Sequence, residues 1–191
     1  MSAINIIKRE TLSNKKYHLE NITLEKKDSK GELQRQEREI YHRPDGAAVL
    51  LYDLERRTVL LTQQFRLVAA LKSDENDLLE ACAGIIDPGE SPEEAANREA
   101  EEEVGYRVAN VEKVYSAFAT PGGVTETIHY FVAEYNETMK VNAGGGVEHE
   151  GEDIEIVELS FEEARKRLEN QEFNDTKTIV LLQHLIIKGI L

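Results

Sequence analysis

Seven residues at fixed intervals mark where chemistry could occur. Gly84 is followed after five residues by Glu90, after seven more by Arg98 and Glu99, and then by Glu102, Glu103 and Gly105. On a helix opening at Ser91, Glu99 and Glu103 stand four apart and share a face, with Glu102 beside them. Like charges at that spacing repel by a few tenths of a kcal/mol per pair, roughly. A hard divalent cation, which takes oxygen ligands, reverses the sign of that interaction. The preceding loop Ala83-Gly84-Ile85 can turn a backbone carbonyl to the same ion, while a Glu90–Arg98 pair is predicted to hold the loop against the helix. Glutamate is a good helix former, so an acidic solvated face is the plain alternative. The glycines and the arginine at set distances from the acids weigh against it.

The elements needed to position this set follow from periodicity. Ala47 to Tyr52 and Thr58 to Gln64 read as buried strands joined by a turn over Asp53 to Arg57, with a further strand over Leu78 to Cys82. Ser91 with Glu94 forms a capping box, Pro92 suits the first helical position and Gly105 supplies the stop. Strands are predicted again over Val111 to Ala119, Ile128 to Tyr135 and Ile154 to Leu159. Ser160 with Glu163 opens a helix ending near Asn170. A last helix runs from about Asp175 to Lys188 with Ile179, Leu182 and Ile186 on its apolar face. Before all of these, Ile4 to Arg43 is strand-like and poor in apolar residues, with Asp28-Ser29-Lys30-Gly31 as a hairpin turn. The expected organisation is an N-terminal β segment, residues 1–43, and one domain, residues 44–191. The expected fold is α/β (α+β), a mixed sheet sandwiched between the box helix on one side and the C-terminal helices on the other.

Composition narrows the partners. A formal net charge of −14 disfavours nucleic acid and anionic membrane, because the overall field repels polyphosphate. An anionic substrate would need bound cations and a few placed Arg or Lys side chains. Cys82 is the only cysteine, so no intrachain disulfide or zinc ribbon can form, and it reads as a small buried apolar residue. The first residues reach Lys8 and Arg9 without a long apolar run, so the expected location is cytoplasmic.

The stretch Gly84 to Tyr106 resembles the Nudix box at every charged and glycine position, departing only at Ala100, where a larger aliphatic is usual, and at Tyr106. The resemblance extends to Glu80-Ala81-Cys82-Ala83-Gly84, to Thr120-Pro121-Gly122-Gly123-Val124-Thr125-Glu126, to Asn142-Ala143-Gly144-Gly145-Gly146-Val147-Glu148 and to Asp175 through Thr178. These are similar to the GDP-mannose pyrophosphatase branch of the Nudix family, close to the ADP-ribose pyrophosphatases. That likeness implies a Nudix-type sandwich, Mg2+ as cofactor, a homodimer, and hydrolysis of a nucleotide sugar, GDP-mannose, to GMP and mannose 1-phosphate. Carried over by position, it implies metal ligation by the Ala83 carbonyl, Glu99, Glu103 and Glu152, with Glu150 as competitor for the last place. It implies substrate contacts from Tyr17, Arg38, Glu39, Arg66, the Ala83, Gly84 and Ile85 backbone, Glu103, Glu126, Glu152 and Lys177. Glu37 departs from the pattern, standing where the branch tends to place a basic residue. Glu103, Glu126 and Glu152 are the implied catalytic group; Glu126, Glu150 and Glu152 are all open as the base. Two other functions fit the same box: ADP-ribose hydrolysis, and a catalytically silent nucleotide sensor.

Overall fold

The computed structural model describes residues 4–73, 76–147, 151 and 153–191. Its contacts divide into two compact units, one formed by residues 1–45 with 117–127 and the other by residues 46–116 with 128–191. The first unit is an antiparallel sheet of β1 (Asn5–Asn14), β2 (His18–Lys27) and β3 (Leu33–Tyr41) in that order. Between β2 and β3 the expected turn forms because the Asp28 carboxylate accepts from the backbone N–H groups of Lys30 and Glu32. Residues 117–127 join this unit through Tyr41, whose N–H donates to the Gly123 carbonyl at 2.8 Å and whose carbonyl accepts from Thr125 at 3.2 Å. The sheet leaves Ile6, Leu12 and Leu33 exposed, in keeping with its low apolar content.

The second unit is built on β4 (Gly46–Asp53), β5 (Thr58–Phe65), β6 (Asp77–Glu80), β7 (Cys82–Ile85), β8 (Glu112–Phe118), β9 (Thr127–Glu134) and β10 (Glu155–Ser160). The strand order is β10-β5-β4-β9-β8, with β6 added to β5 and β7 added to β4. Strand β4 runs parallel to β9 and antiparallel to β5 and β7, so the sheet is mixed as expected. Its helices are α1 (Leu67–Lys72), α2 (Pro92–Glu99), α3 (Phe161–Glu169) and α4 (Thr176–Ile187). Among the described residues no helix is long and apolar enough to cross a membrane.

Strand β4 explains the layering, because its continuous apolar run is buried on both faces. Ala47, Val49 and Leu51 pack with Ala95 and Ala96 of α2 and with Ala100, Val104, Phe131 and Tyr135. Ala48 and Leu50 point the other way, toward Phe161 and Ala164 of α3 and Leu181, Leu182 and Leu185 of α4. Each fully buried aliphatic of this kind contributes about 1.5–3 kcal/mol. The result is the α/β/α sandwich the sequence predicts.

Four local features differ from the sequence expectation. The single strand predicted over Leu78 to Cys82 is two strands, β6 pairing with β5 and β7 with β4. Ala81 is the break, because its N–H donates to the Thr178 hydroxyl at 2.7 Å instead of to a neighbouring strand. The short α1, with no buried residue, was not anticipated: its apolar residues Leu67, Val68 and Leu71 lie exposed rather than forming a core stripe. On α4 the buried face is centred on Thr178, Leu181, Leu182 and Leu185, with Ile179 and Ile186 only half-buried at its margins. At α3, Ser160 accepts from the Glu163 N–H, but the Glu163 carboxylate turns to Arg167, four residues on.

Candidate active site

Helix α2 starts as the sequence dictates. Ser91 accepts from the Glu94 N–H, Glu94 accepts in return from the Ser91 N–H, and Pro92 occupies the first turn. One turn later Arg98 gathers the acids. Its Nε and Nη2 hold the two oxygens of Glu90 at 2.9 and 3.0 Å, Nη2 also donates to the Ile85 carbonyl at 2.9 Å, and Nη1 reaches Glu99 at 2.7 Å and Glu102 at 3.0 Å. The Glu90 pairing with Arg98 that the spacing predicts is therefore present, and it ties the Ala83-Gly84-Ile85 strand to the helix. The surrounding carboxylates raise the pKa of Arg98 and hydrogen bonding to Arg98 lowers that of Glu90.

The helix does not continue as a plain α-helix to Gly105. Ala100–Val104 forms a π-helical turn, in which the Gly105 N–H bonds to the Ala100 carbonyl before Gly105 ends the helix in a left-handed conformation. Such turns recur at functional sites, and here it carries Glu102 and Glu103. The triple-glycine loop braces its end: the N–H groups of Gly145 and Gly146 donate to the carbonyls of Glu103 and Glu102 at 2.9 and 3.0 Å. Gly144, at φ +69°, passes so close that a Cβ would lie 2.7 Å from the Glu103 carbonyl oxygen.

Glu99 and Glu103 are 7% and 1% exposed, an unusual state for two carboxylates on adjoining turns. Glu103 accepts from the Ala83 N–H at 3.2 Å. Glu99 lies against Gly84 so closely that a Cβ there would stand 1.9 Å from its Oε1. Burial pushes the Cys82 thiol well above its ordinary pKa, with Glu103 adding to the effect, so this cysteine is an inert packing group as expected. The donor set fits a divalent cation: hard, buried carboxylate oxygens beside strand backbone, with the Glu99 carboxylate lying in the space a side chain at position 84 would otherwise fill. Ala83, Glu99 and Glu103 are the described residues that would hold it. Glu152 and its competitor Glu150 lie outside the described residues.

At the neighbouring strand ends, Arg66 and Lys177 meet on Glu80. Arg66 Nε and Nη2 bind Glu80 at 2.6 and 3.2 Å, and Lys177 Nζ donates to Glu80 at 3.1 Å and to Asp175 at 2.6 Å. Asp175 is fixed in turn as the N-cap of α4, accepting from the Thr178 N–H and hydroxyl. Burial works against both cations, yet Glu80 beside Arg66, and Asp175 with Glu80 beside Lys177, raise their pKa values. The field of Glu103 also reaches Arg66.

The remaining predicted contacts belong to the first unit. Tyr17 packs edge-on against Tyr41, with ring centroids 5.8 Å apart, and the Arg43 guanidinium lies 5.6 Å from its ring centre. Arg43 also faces Glu126 at 3.5 Å. Arg38 and Glu39 are exposed on β3, where Arg38 donates to the Glu37 carbonyl and the Gln36 side chain. Glu20, His18 and His42 bring ligand-type atoms within 4.8 Å of one another. Their imidazoles suit a borderline metal better than a hard one, and Glu20 Oε1 already accepts from Arg9 and His42 at 2.6 and 2.7 Å.

Sequence reasoning passed over Glu80 and Arg43 as interacting groups. Glu80 had a signal, an acid ending the apolar run Leu78-Leu79. Arg43 had none, because its partners Tyr17 and Glu126 are remote in sequence.

The site is a mixed sheet between helices, with the buried carboxylates Glu99 and Glu103 on the helix that follows the Gly84 strand. The NUDIX domain model matches residues 42–180, and the model described as the GDP-mannose pyrophosphatase NudK N-terminal domain matches residues 3–41. The chain belongs to the Nudix family. It is 48% identical over 98% of its length to the GDP-mannose pyrophosphatase of Pectobacterium atrosepticum, covering 96% of that protein. It is 44% identical to those of Cronobacter sakazakii and Escherichia coli K12, covering 98% and 95% of this chain and 97% and 94% of theirs. A crystal structure described as an ADP compounds hydrolase shares the fold at a TM-score of 0.71 and 24% identity, over 98% of this chain and 97% of that one.

Proposed function

We propose that this Nudix hydrolase cleaves the diphosphate of GDP-mannose, releasing GMP and mannose 1-phosphate, with Mg2+ as its metal. The observation that carries the reading is the buried Glu99 and Glu103 pair against the Ala83–Gly84 strand, in a chain 44–48% identical along nearly its whole length to GDP-mannose pyrophosphatases. A diphosphate hydrolyses slowly because its anionic oxygens repel a nucleophile. Bound Mg2+ would neutralise those oxygens and acidify a water for in-line attack. Glu99, Glu103 and the Ala83 carbonyl, with Glu152, are the proposed ligands. Arg98 keeps the acidic set in place, Arg66 and Lys177 supply positive charge for the phosphates, and Tyr17, Arg38, Glu39 and the Gly84–Ile85 backbone bind the rest of the nucleotide sugar. Glu126, Glu150 and Glu152 are the candidate bases for the proton of the attacking water.

We also propose a cytoplasmic homodimer formed through the N-terminal sheet. The exposed Ile6, Leu12 and Leu33 support it, being apolar groups on a sheet too polar to hold a core of its own. Removing residues 1–43 should abolish dimerisation and nucleotide-sugar affinity together, as read by sedimentation and by KM. A fully active monomer from that truncation would refute the arrangement.

Parallel kinetics on GDP-mannose and ADP-ribose test the substrate. The reading requires kcat/KM at least about tenfold higher for GDP-mannose, a transition-state preference of roughly 1.4 kcal/mol. A preference for ADP-ribose would overturn the substrate while leaving the Nudix chemistry intact.

A further inference from the structure

We propose that Glu80 is a positioning residue for diphosphate recognition, aligning Arg66 and Lys177 side by side at the edge of the metal-binding cluster. The inference rests on the reading of those two cations as phosphate contacts and adds the group that makes them usable.

Glu80 is 3% exposed and its backbone is held from two directions. It pairs with Thr62 in β5 and its carbonyl accepts from the Thr62 hydroxyl, while the next residue, Ala81, donates to Thr178. A carboxylate on so fixed a base presents its oxygens in one direction. Oε1 takes Arg66 Nε; Oε2 takes both Arg66 Nη2 and Lys177 Nζ. A guanidinium is planar and carries five N–H groups, so a fork gripped along its Nε–Nη2 edge must aim Nη1 and the remaining Nη2 hydrogen away from the gripping acid. Lys177 is restrained from its other side by Asp175 and, among the described residues, Glu80 and Asp175 take two of its three N–H groups.

The need for such a residue follows from the surrounding charge. Arg66 is a long side chain within the field of Glu103, on a protein carrying −14 overall. Without a competing acid it would be drawn onto the metal-binding carboxylates, blocking the cation and losing its own alignment. Glu80 and Asp175 together hold Arg66 and Lys177 in place, so the two cations present their remaining N–H groups without the entropy loss of ordering two flexible chains at each binding event. Glu80 itself touches no substrate in this scheme; it acts through Arg66 and Lys177.

The test is the kinetics of Glu80→Gln, Glu80→Asp and Arg66→Ala, and of the Arg66→Ala, Glu80→Gln double variant, each with a thermal melt. They are run on whichever of GDP-mannose and ADP-ribose the wild-type protein turns over faster, so a wrong substrate assignment shows in the wild type alone. Glu80→Gln should raise KM about tenfold, lower kcat less, and add less in the Arg66→Ala background than in the wild type, because only its hold on Lys177 then remains to be lost. Glu80→Asp, which keeps the charge, should recover part of the loss. If KM stays at the wild-type value in Glu80→Gln while Arg66→Ala raises it, the positioning role is wrong and the phosphate contact stands. If Arg66→Ala leaves KM unchanged, both fall. A lowered melting temperature with normal KM would make Glu80 structural only, and if Glu80→Gln does not fold, Glu80→Asp with KM and kcat both unchanged would overturn the proposal equally.

Discussion

Arg98 grips both carboxylate oxygens of Glu90, at 2.9 and 3.0 Å, and in the same geometry touches the Ile85 carbonyl, Glu99 and Glu102. One guanidinium thus joins the strand that carries Ala83 and Gly84 to the helix that carries the acids. The arrangement satisfies the acids while leaving their positions compatible with a cation.

Replacing Arg98 with Ala should therefore weaken metal binding more than folding. Glu90, Glu99 and Glu102 would lose their shared cation, and groups that orient metal ligands are typically worth about 10–100-fold in metal affinity. Lys should rescue poorly, because a point charge cannot span Glu90 and Ile85 as a planar fork does. Titration of activity against magnesium reads the effect: the half-saturating concentration should rise by about tenfold or more. An unchanged half-saturation would mean that Arg98 does not organise the ligands.

Acid should loosen the N-terminal sheet through Glu20. Burial opposes ionisation of this carboxyl, but the hydrogen bond from His42 and the charges of Arg9, His42 and His18 outweigh it and hold its pKa below the usual value. A carboxyl with a depressed folded-state pKa adds stability above its unfolded pKa of about 4.3, and that stability is lost as pH falls through the folded value. Melting curves taken from about pH 7 down to about pH 3 should show wild type losing stability on the acid side, with Glu20→Gln less stable near neutrality and flatter below about pH 4.5. Parallel acid slopes for the two proteins would remove Glu20 from the account.

Much of this architecture was legible from residue order. The Ser91–Glu94 box, the Glu90 and Arg98 pair, and the alternation of β4 between two cores are local or strictly periodic, so spacing suffices to find them. What escaped was set by contacts distant in sequence. The break at Ala81 depends on Thr178, ninety-seven positions away. The π-turn under Glu102 and Glu103 is braced by Gly145 and Gly146, so the glycines that looked like a family marker prove to be a clamp on the acidic helix end. Glu80 and Arg43 gain their meaning only from partners brought near by folding.

The most direct test of the central claim is chromatographic product analysis of wild type and Glu103→Gln incubated with GDP-mannose, with and without magnesium. The account predicts GMP and mannose 1-phosphate from wild type only when magnesium is present, and turnover reduced by at least about a thousandfold in Glu103→Gln, a loss of roughly 4 kcal/mol of transition-state stabilisation. Undiminished cleavage by Glu103→Gln, or equal product without metal, would contradict the assignment of the Glu99–Glu103 cluster as the catalytic metal site.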